Sequence, residues 1–218
     1  MKRRVGREFR KRIGSLIKLN KIVYLISPKD INKSFYSNLE KVLSYGNVKF
    51  FQLRIKDKKK NKIIKIAKKI KVITNKYKIK FIINDNYNLV SKINADGCHM
   101  GQFDGSIRIA RNKLKKKILG VTCHNSLSLA KKAVKYKADY LALGSFYKSK
   151  LKPNASRANF KVLKQVKKNI NKPIVVIGGI NNLNYKKLMK LGAKYIAISS
   201  FIWDNPKLKP EFAIKKFK

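Results

Sequence analysis

Short runs rich in Ile, Val, Phe and Tyr recur along the chain, separated by Lys-rich stretches in which apolar residues return at i, i+3 and i+4. The runs are IVYLIS (22–27), KFFQLR (49–54), KFIIND (80–85), ADGCHM (95–100), ILGVT (118–122), DYLALG (139–144), PIVVIGG (173–179) and KYIAIS (194–199). Their length and their β-branched and aromatic content predict strands. The stretches between them, SNLEKVLSYG, KNKIIKIAKKIKVITNKY, SLSLAKKAVKYK, NFKVLKQVKKNI and NNLNYKKLMKLG, predict amphipathic helices, and several stop at Gly as helix ends do. Only NYNLVSKIN and GSIRIARNKL are available after the third and fourth runs, so those two helices are expected to be short.

Strands that alternate with helices require a parallel sheet, and eight such units are the number that closes into a (β/α)8 TIM barrel. An open doubly wound sheet is the competing α/β arrangement, but it would gather its ligands at one switch point. Here polar residues stand at the C-terminal end of nearly every strand: Gln52, Arg54 and Lys56; Asn84 and Asp85; Gln102 and Asp104; Thr122 and His124; Ser149 and Lys152; Gly178 and Gly179; Ser199 and Ser200. A barrel brings all of these loops around one mouth, so a single TIM barrel is the expected fold.

Composition sets limits on this picture. With 218 residues, 44% of them apolar, the chain can bury one core of ordinary size. Its 55 Lys and Arg stand against 10 Asp and Glu, which invites a nucleic-acid reading. Only nine of the 55 are Arg, and the Lys are spread along the whole chain without an aromatic and basic stripe, so the charge reads as a general bias. Such a field favours anionic, phosphorylated small molecules by steering. No stretch approaches a membrane span, and the basic opening, residues 1–20, lacks the apolar run of a signal peptide. It reads as an N-terminal extension to a catalytic domain over 21–218. Two cysteines cannot make a disulfide framework, and a cytoplasmic protein is expected; whether it forms a homo-oligomer is left open.

Asp85 and Asp104 end or follow neighbouring strands, and two hard oxygen ligands beside several cations suggest Mg2+ shared with a phosphate. Taken alone, Asp85 could equally be a cap or an Asx turn. Arg54 and Lys56 are alternate residues leaving strand 2 on one side, a fork and a point charge suited to a diphosphate. IGGI (177–180) and AISS (197–200) end strands 7 and 8, where barrels build a backbone phosphate site. The pairs Cys98-His99 and Cys123-His124 could be taken for zinc ligands. Adjacent strand residues face opposite sides, so a core role for the cysteines is expected, with His124 able to reach the mouth. Asp96, at the foot of a strand, reads as a turn or cap residue.

The stretches QLRIK, INDNYNLVSKINADGCHMGQFD, GVTCHN, ADYLALGSFYKSKLK, IVVIGGIN and GAKYIAISSFI, in this order, resemble the thiamine phosphate synthase family from about residue 21 to 203. The resemblance implies a TIM barrel that joins hydroxymethylpyrimidine diphosphate to a thiazole phosphate, giving thiamine phosphate and pyrophosphate. It implies Gln52 against the pyrimidine, Arg54, Lys56, Asn84 and Lys152 on the diphosphate, and Mg2+ on Asp85 and Asp104. Gly178, Gly179, Ser199 and Ser200 would hold the thiazole phosphate. The chain departs from the family where Glu usually follows the strand 2 Arg, here Ile55, and where a Thr usually stands, here Leu151; Ser149 and Thr122 replace other hydroxyl residues. The related thiazole tautomerase, a proton-transfer enzyme using a histidine, is the nearest rival, and a noncatalytic nucleic-acid binder is the rival from another class.

Overall fold

The computed structural model describes residues 19–55, 59–148 and 157–218. Eight parallel strands close into a barrel in sequence order, with the last pairing back to the first. They are β1 (Val23–Ile26), β2 (Val48–Leu53), β3 (Lys80–Asn84), β4 (Gly97–Met100), β5 (Ile118–His124), β6 (Tyr140–Gly144), β7 (Ile174–Ile177) and β8 (Tyr195–Ile198). Each is followed by a helix: α1 (Lys33–Ser44), α2 (Lys60–Lys76), α3 (Leu89–Lys92), α4 (Ile107–Leu114), α5 (Leu127–Lys135), α6 (Phe160–Asn169), α7 (Tyr185–Lys190) and α8 (Ser200–Trp203). The expected TIM barrel is therefore the fold, and the two connections expected to be thin carry the short α3 and the eight-residue α4. β4 starts two residues later than the apolar run implied, because Asp96 is used at its foot. β5 runs on to His124 through a register shift that places Cys123 as an extra residue.

Four of the helices begin where the sequence supplies oxygen caps. Asn32, Ser106, Ser126 and Asn159 each accept a hydrogen bond from a first-turn backbone N–H with the side chain. Lysines occupy exposed positions on α2, α5, α6 and α7, on every side of the barrel, while Leu39, Ile70, Ala130, Leu163 and Leu188 turn inward. A closing segment that the repeating pattern did not announce, α9 (Pro210–Ala213) and a 3-10 turn (Ile214–Lys216), brings Phe217 into the core against Tyr185 and Phe201. Asn47 fixes it by donating to the carbonyls of Ile214 and Phe217 at 3.3 and 2.8 Å.

Two apolar layers result. The larger lies between sheet and helices and includes both cysteines, each fully buried, as expected of core residues. The smaller fills the barrel axis: Tyr24, Ile26, Phe50, Ile82, Tyr140, Ala142, Val175, Tyr195 and Ala197. Its rings fit because neighbouring inward positions are empty of side chain. A Cβ at Gly120 would stand 1.9 Å from the Tyr140 ring, and one at Gly97 would stand 2.1 Å from the carbonyl oxygen of Ile118.

At the N-terminal end of the barrel two aspartates repeat one device. Asp96 donates its N–H to Phe81 O at 2.8 Å and accepts Phe81 N–H on its carboxylate at 3.0 Å. Asp139 does the same with Leu119, at 2.8 and 2.7 Å. Lys71 lies 2.7 Å from the Asp96 carboxylate and Lys80 3.3 Å, and Arg111 lies 2.6 Å from that of Asp139. Each clamp ties the start of one strand to the approach of the next.

Two outcomes follow from these contacts. Gly120→Ala should destabilise the barrel by about 1–3 kcal/mol through overpacking against Tyr140, read as a lowered denaturant midpoint; an unchanged midpoint would mean that the axis has slack. Burial alone would raise the Asp96 pKa, but Lys71, the Phe81 N–H and Lys80 outweigh it and hold the carboxyl below its ordinary value. A depressed folded pKa means stability present above the unfolded carboxylate pKa and lost as pH falls below about 4 through the folded value. Asp96→Asn should therefore cost about 1–3 kcal/mol at pH 7, and its unfolding free energy should vary less between pH 4 and 2 than that of the parent chain; equal slopes would refute the clamp.

Candidate active site

Because strand residues alternate sides, the inward positions of β2 to β5 carry a set of polar groups just above the apolar axis: Gln52, Asn84, His99 and Thr122. On the opposite side β6 and β8 present only Ala142 and Ala197 at comparable inward positions. The mouth is thus polar on one half and roomy on the other. Gln52 is buried and donates to Asn84 Oδ1 at 2.7 Å, which fixes both amides beside each other. Two residues that the family resemblance assigns to separate jobs, one on the pyrimidine and one on the diphosphate, form one joined unit.

His99 is an inward residue that the Cys-His spacing alone does not single out. Its neighbour Cys98 turns outward into the core, so the pair divides between lumen and core as strand alternation requires, and no zinc-type cluster is found among the described residues. His99 Nε2 lies 2.8 Å from Thr122 Oγ1 and Nδ1 3.0 Å from Tyr140 Oη, with the two rings stacked at 5.7 Å. Burial holds its imidazole down, to about 4, with Asp104 partly opposing and Arg54 adding to the effect. The ring is neutral at pH 7. That alternation places a histidine here is readable from GCHMGQ; its partners are not, since they come from β5 and β6.

The rim stands above this layer. Asp85 follows Asn84 with φ of 63°, a conformation that Asp tolerates better than most residues, and its N–H donates to His99 O at 2.8 Å. Asp104 reaches back to accept from Gly101 N–H at 2.6 Å. Burial raises the Cys98 thiol pKa, and the negative charges of Asp85 and Asp104 both add to the rise. Gln102 reaches the carbonyl of Thr122 with its side-chain amide, tying the β4 loop to β5.

Arg54 is held by its backbone. Ser27, at the end of β1, accepts Arg54 N–H on Oγ at 3.0 Å and donates to Arg54 O at 3.3 Å. The same serine's carbonyl accepts from Ser199 Oγ at 3.0 Å, and Trp203 Nε1 donates to Ile26 O at 2.7 Å, so β1 braces the loops of β2 and β8 together. Ser27 sits in the sequence as an ordinary strand end, and nothing local marks this role. Ile55, where the resembled family usually has Glu, packs part-buried against the core.

Gly178 and Gly179 adopt φ of 104° and 58°. A Cβ on Gly178 would lie 1.9 Å from Ser145 Oγ, and one on Gly179 would lie 2.2 Å from Lys148 O. The glycines therefore admit the close approach of the β6 loop. Ser200 opens α8 directly after Ser199. His124, exposed with φ of 49°, sits at the rim of β5. Lys56, Ser149, Leu151 and Lys152 lie outside the described residues, as does the N-terminal extension up to residue 18.

Two carboxylates without a third His, Cys, Asp or Glu among the described residues make an incomplete cage for zinc or calcium. They fit Mg2+, which takes one or two carboxylates and fills its remaining positions with water and phosphate oxygens. No described helix is long and apolar enough to cross a membrane.

Known proteins resemble the chain over most of its length. The sequence pattern of the family described as thiamine monophosphate synthase matches residues 23–202. A thiamine-phosphate synthase of Pelagibacter ubique is 54% identical over 204 residues, covering 92% of this chain and 98% of that protein. One from Erythrobacter litoralis is 36% identical over 188 residues, covering 84% and 88%. Among solved structures, thiamine phosphate pyrophosphorylase from Pyrococcus furiosus superposes with a TM-score of 0.81 at 26% identity, covering 92% of this chain and 95% of that one. Shared in pattern, in sequence and in the closed barrel, the likeness is enough to place the protein: the chain belongs to the thiamine monophosphate synthase family.

Proposed function

We propose that the chain is a thiamine-phosphate synthase, a transferase that joins hydroxymethylpyrimidine diphosphate to a thiazole phosphate and releases pyrophosphate. The observation that carries this reading is the joining of Gln52 and Asn84 at the mouth, at the same end of the barrel as the loops that carry Arg54, Asp85 and Asp104. Such a mouth suits a flat heterocycle below and a diphosphate above. Relatives bearing the synthase name support it, and among the described residues the lysines are spread over helices around the barrel rather than gathered on one face. The tautomerase reading would need a histidine poised to move a proton; His99 is tied on both nitrogens and His124 stands exposed at the rim.

The residues divide the work by position. Gln52 presents an amide to the ring, and Arg54, on backbone braced by Ser27, offers its fork to the diphosphate with Asn84 beside it. Departure of the diphosphate leaves a resonance-stabilised pyrimidinylmethyl cation, which the thiazole nitrogen captures, so no protein nucleophile is required. Asp85 and Asp104 would hold Mg2+, which supplies charge neutralisation to the leaving group. Gly178, Gly179, Ser199 and Ser200 would receive the thiazole phosphate on the opposite side, aligning its ring with the cleaved bond. Lys56, Ser149 and Lys152 would complete the diphosphate and thiazole contacts. A cytoplasmic location is consistent with this chemistry.

Purified chain supplied with both substrates and Mg2+ should form thiamine phosphate, and EDTA should abolish the product; metal-independent turnover would remove the magnesium assignment. Asp85→Asn keeps a residue type that accepts the positive φ, and Asp104→Asn can still accept from Gly101. Each should nonetheless lose at least about a hundredfold in kcat, since charge stabilisation of this kind is worth several kcal/mol. Thermal midpoints should stay near that of the parent. Arg54→Ala should raise KM for the diphosphate substrate by about ten- to a hundredfold while leaving KM for the thiazole phosphate within about twofold. Equal rises for both substrates would show that Arg54 has been assigned to the wrong ligand.

A further inference from the structure

Four groups from four strands form one continuous hydrogen-bonded line up the barrel axis. Tyr24 Oη on β1 lies 2.7 Å from Tyr140 Oη on β6; Tyr140 Oη lies 3.0 Å from His99 Nδ1 on β4; His99 Nε2 lies 2.8 Å from Thr122 Oγ1 on β5. The lower end is closed. Tyr24 is 2% exposed and belongs to the apolar cluster with Ile26, Phe50 and Ile82, and among the described residues its hydroxyl has Tyr140 as its hydrogen-bond partner. The upper end, Thr122, is half-buried beneath the mouth.

Counting protons gives this line a direction. Burial raises both phenols far above the ordinary tyrosine value, so each carries its hydrogen. Suppose the line runs downward, from Thr122 to Nε2, from an Nδ1 proton to Tyr140, and from Tyr140 to Tyr24. The Tyr24 hydrogen then has no acceptor in an apolar surrounding, a cost that buried polar groups avoid. A doubly protonated His99 fails too, because Tyr140 would then have to accept from Nδ1 and one phenolic hydrogen would still be stranded. Run upward, every hydrogen is used: Tyr24 donates to Tyr140, Tyr140 to Nδ1, and Nε2–H to Thr122 Oγ1. One lone pair of the Thr122 oxygen is then taken by Nε2–H, and the hydroxyl hydrogen, which no described residue accepts, is left for the mouth.

We infer that Tyr24, Tyr140 and His99 are positioning residues, a one-way chain anchored in the closed end of the barrel that commits the Thr122 hydroxyl to donating toward an anionic oxygen of the substrate. The inference rests on the proposed synthase reading only for the identity of that oxygen, which would belong to the diphosphate. A free threonine hydroxyl can donate or accept according to its surroundings. This one is set before the substrate arrives, so binding an acceptor requires no reorientation, whereas a ligand presenting a donor at the same place would meet an oppositely directed dipole.

The test begins with the hydrogen itself. The chain has two histidines, so the imidazole nitrogens of uniformly 15N-labelled protein can be assigned between His99 and His124 by comparison with a His124→Gln sample. At pH 7 His99 should be the neutral tautomer with its proton on Nε2. A proton on Nδ1, or on both nitrogens, would overturn the inference whatever the enzyme does. Kinetics supply the second arm. Thr122→Val should lower kcat/KM for the diphosphate substrate about ten- to a hundredfold, the worth of one hydrogen bond to a charged group. Tyr140→Phe should lower it roughly three- to tenfold, in the range of coupling between contacting polar groups. If Tyr140 acts through Thr122, Tyr140→Phe should add nothing to the loss in a Thr122→Val background; multiplied losses would mean that it acts by another route. An inactive parent chain with the Nε2–H tautomer intact would instead remove the synthase reading and leave the direction of the chain standing.

Discussion

The Tyr140 ring lies across the barrel axis over Gly120, and the arrangement above it depends on that fit. Eight strands closing on themselves must fill a narrow core with inward side chains, alternating large against small so that layers interdigitate. Here a large ring on β6 is admitted by the missing side chain on β5, and the ring in turn stacks under His99. The packing decision of the lower layer thereby fixes the height and tilt of the first polar group of the upper one. A buried phenol must also satisfy its hydroxyl, and Tyr140 does so on both sides, with Tyr24 below and His99 above. Packing and hydrogen bonding are one constraint at this point.

The same division runs the length of the barrel. Carboxylates at the N-terminal end, Asp96 and Asp139, hold strand amides and cations, whereas Asp85 and Asp104 stand on loops at the C-terminal end, Asp104 holding the Gly101 amide of its own loop. A side chain tied into the sheet's own hydrogen bonds stabilises; one carried on a loop above a filled core is placed to meet a ligand. Ser27 shows how neighbouring loops at the C-terminal end are joined, since this one residue after β1 steadies Arg54 on one side and Ser199 on the other.

Periodicity is enough to make the strands and helices legible, because apolar runs and i, i+3, i+4 spacing report directly on which faces are buried. The inward places of Gln52, Asn84 and Thr122 are legible for a related reason: they follow from strand alternation once the C-terminal ends of the strands meet at one mouth. What could not be read is what the closed barrel brings together from distant strands. His99 gives a period-2 signal, but its partners Thr122 and Tyr140 lie 23 and 41 residues away, and their register depends on the barrel's stagger. The bulge at Cys123 and the anchoring of Phe217 by Asn47 are likewise tertiary events with no local mark. Gly178 and Gly179 read as a phosphate loop, yet part of the reason for them is the approach of Ser145 and Lys148 from the neighbouring loop.

The opposition between overall charge and local charge is the last consequence. A chain of formal net charge +45 surrounds itself with a field that draws phosphorylated anions and repels Mg2+. At physiological ionic strength that field is screened beyond about 8 Å, so it cannot by itself organise a site, but close to the surface it works against a divalent cation. Two carboxylates on adjacent loops that shared a cation would offset this locally, because attraction at contact distance exceeds the screened repulsion of distant lysines. With ten acidic residues in the whole chain, a magnesium held by Asp85 and Asp104, as proposed above, would sit against the sign of the surrounding field. Beneath the mouth, the neutral line of His99, Tyr140 and Tyr24 carries its hydrogen bonds without adding a charge of its own.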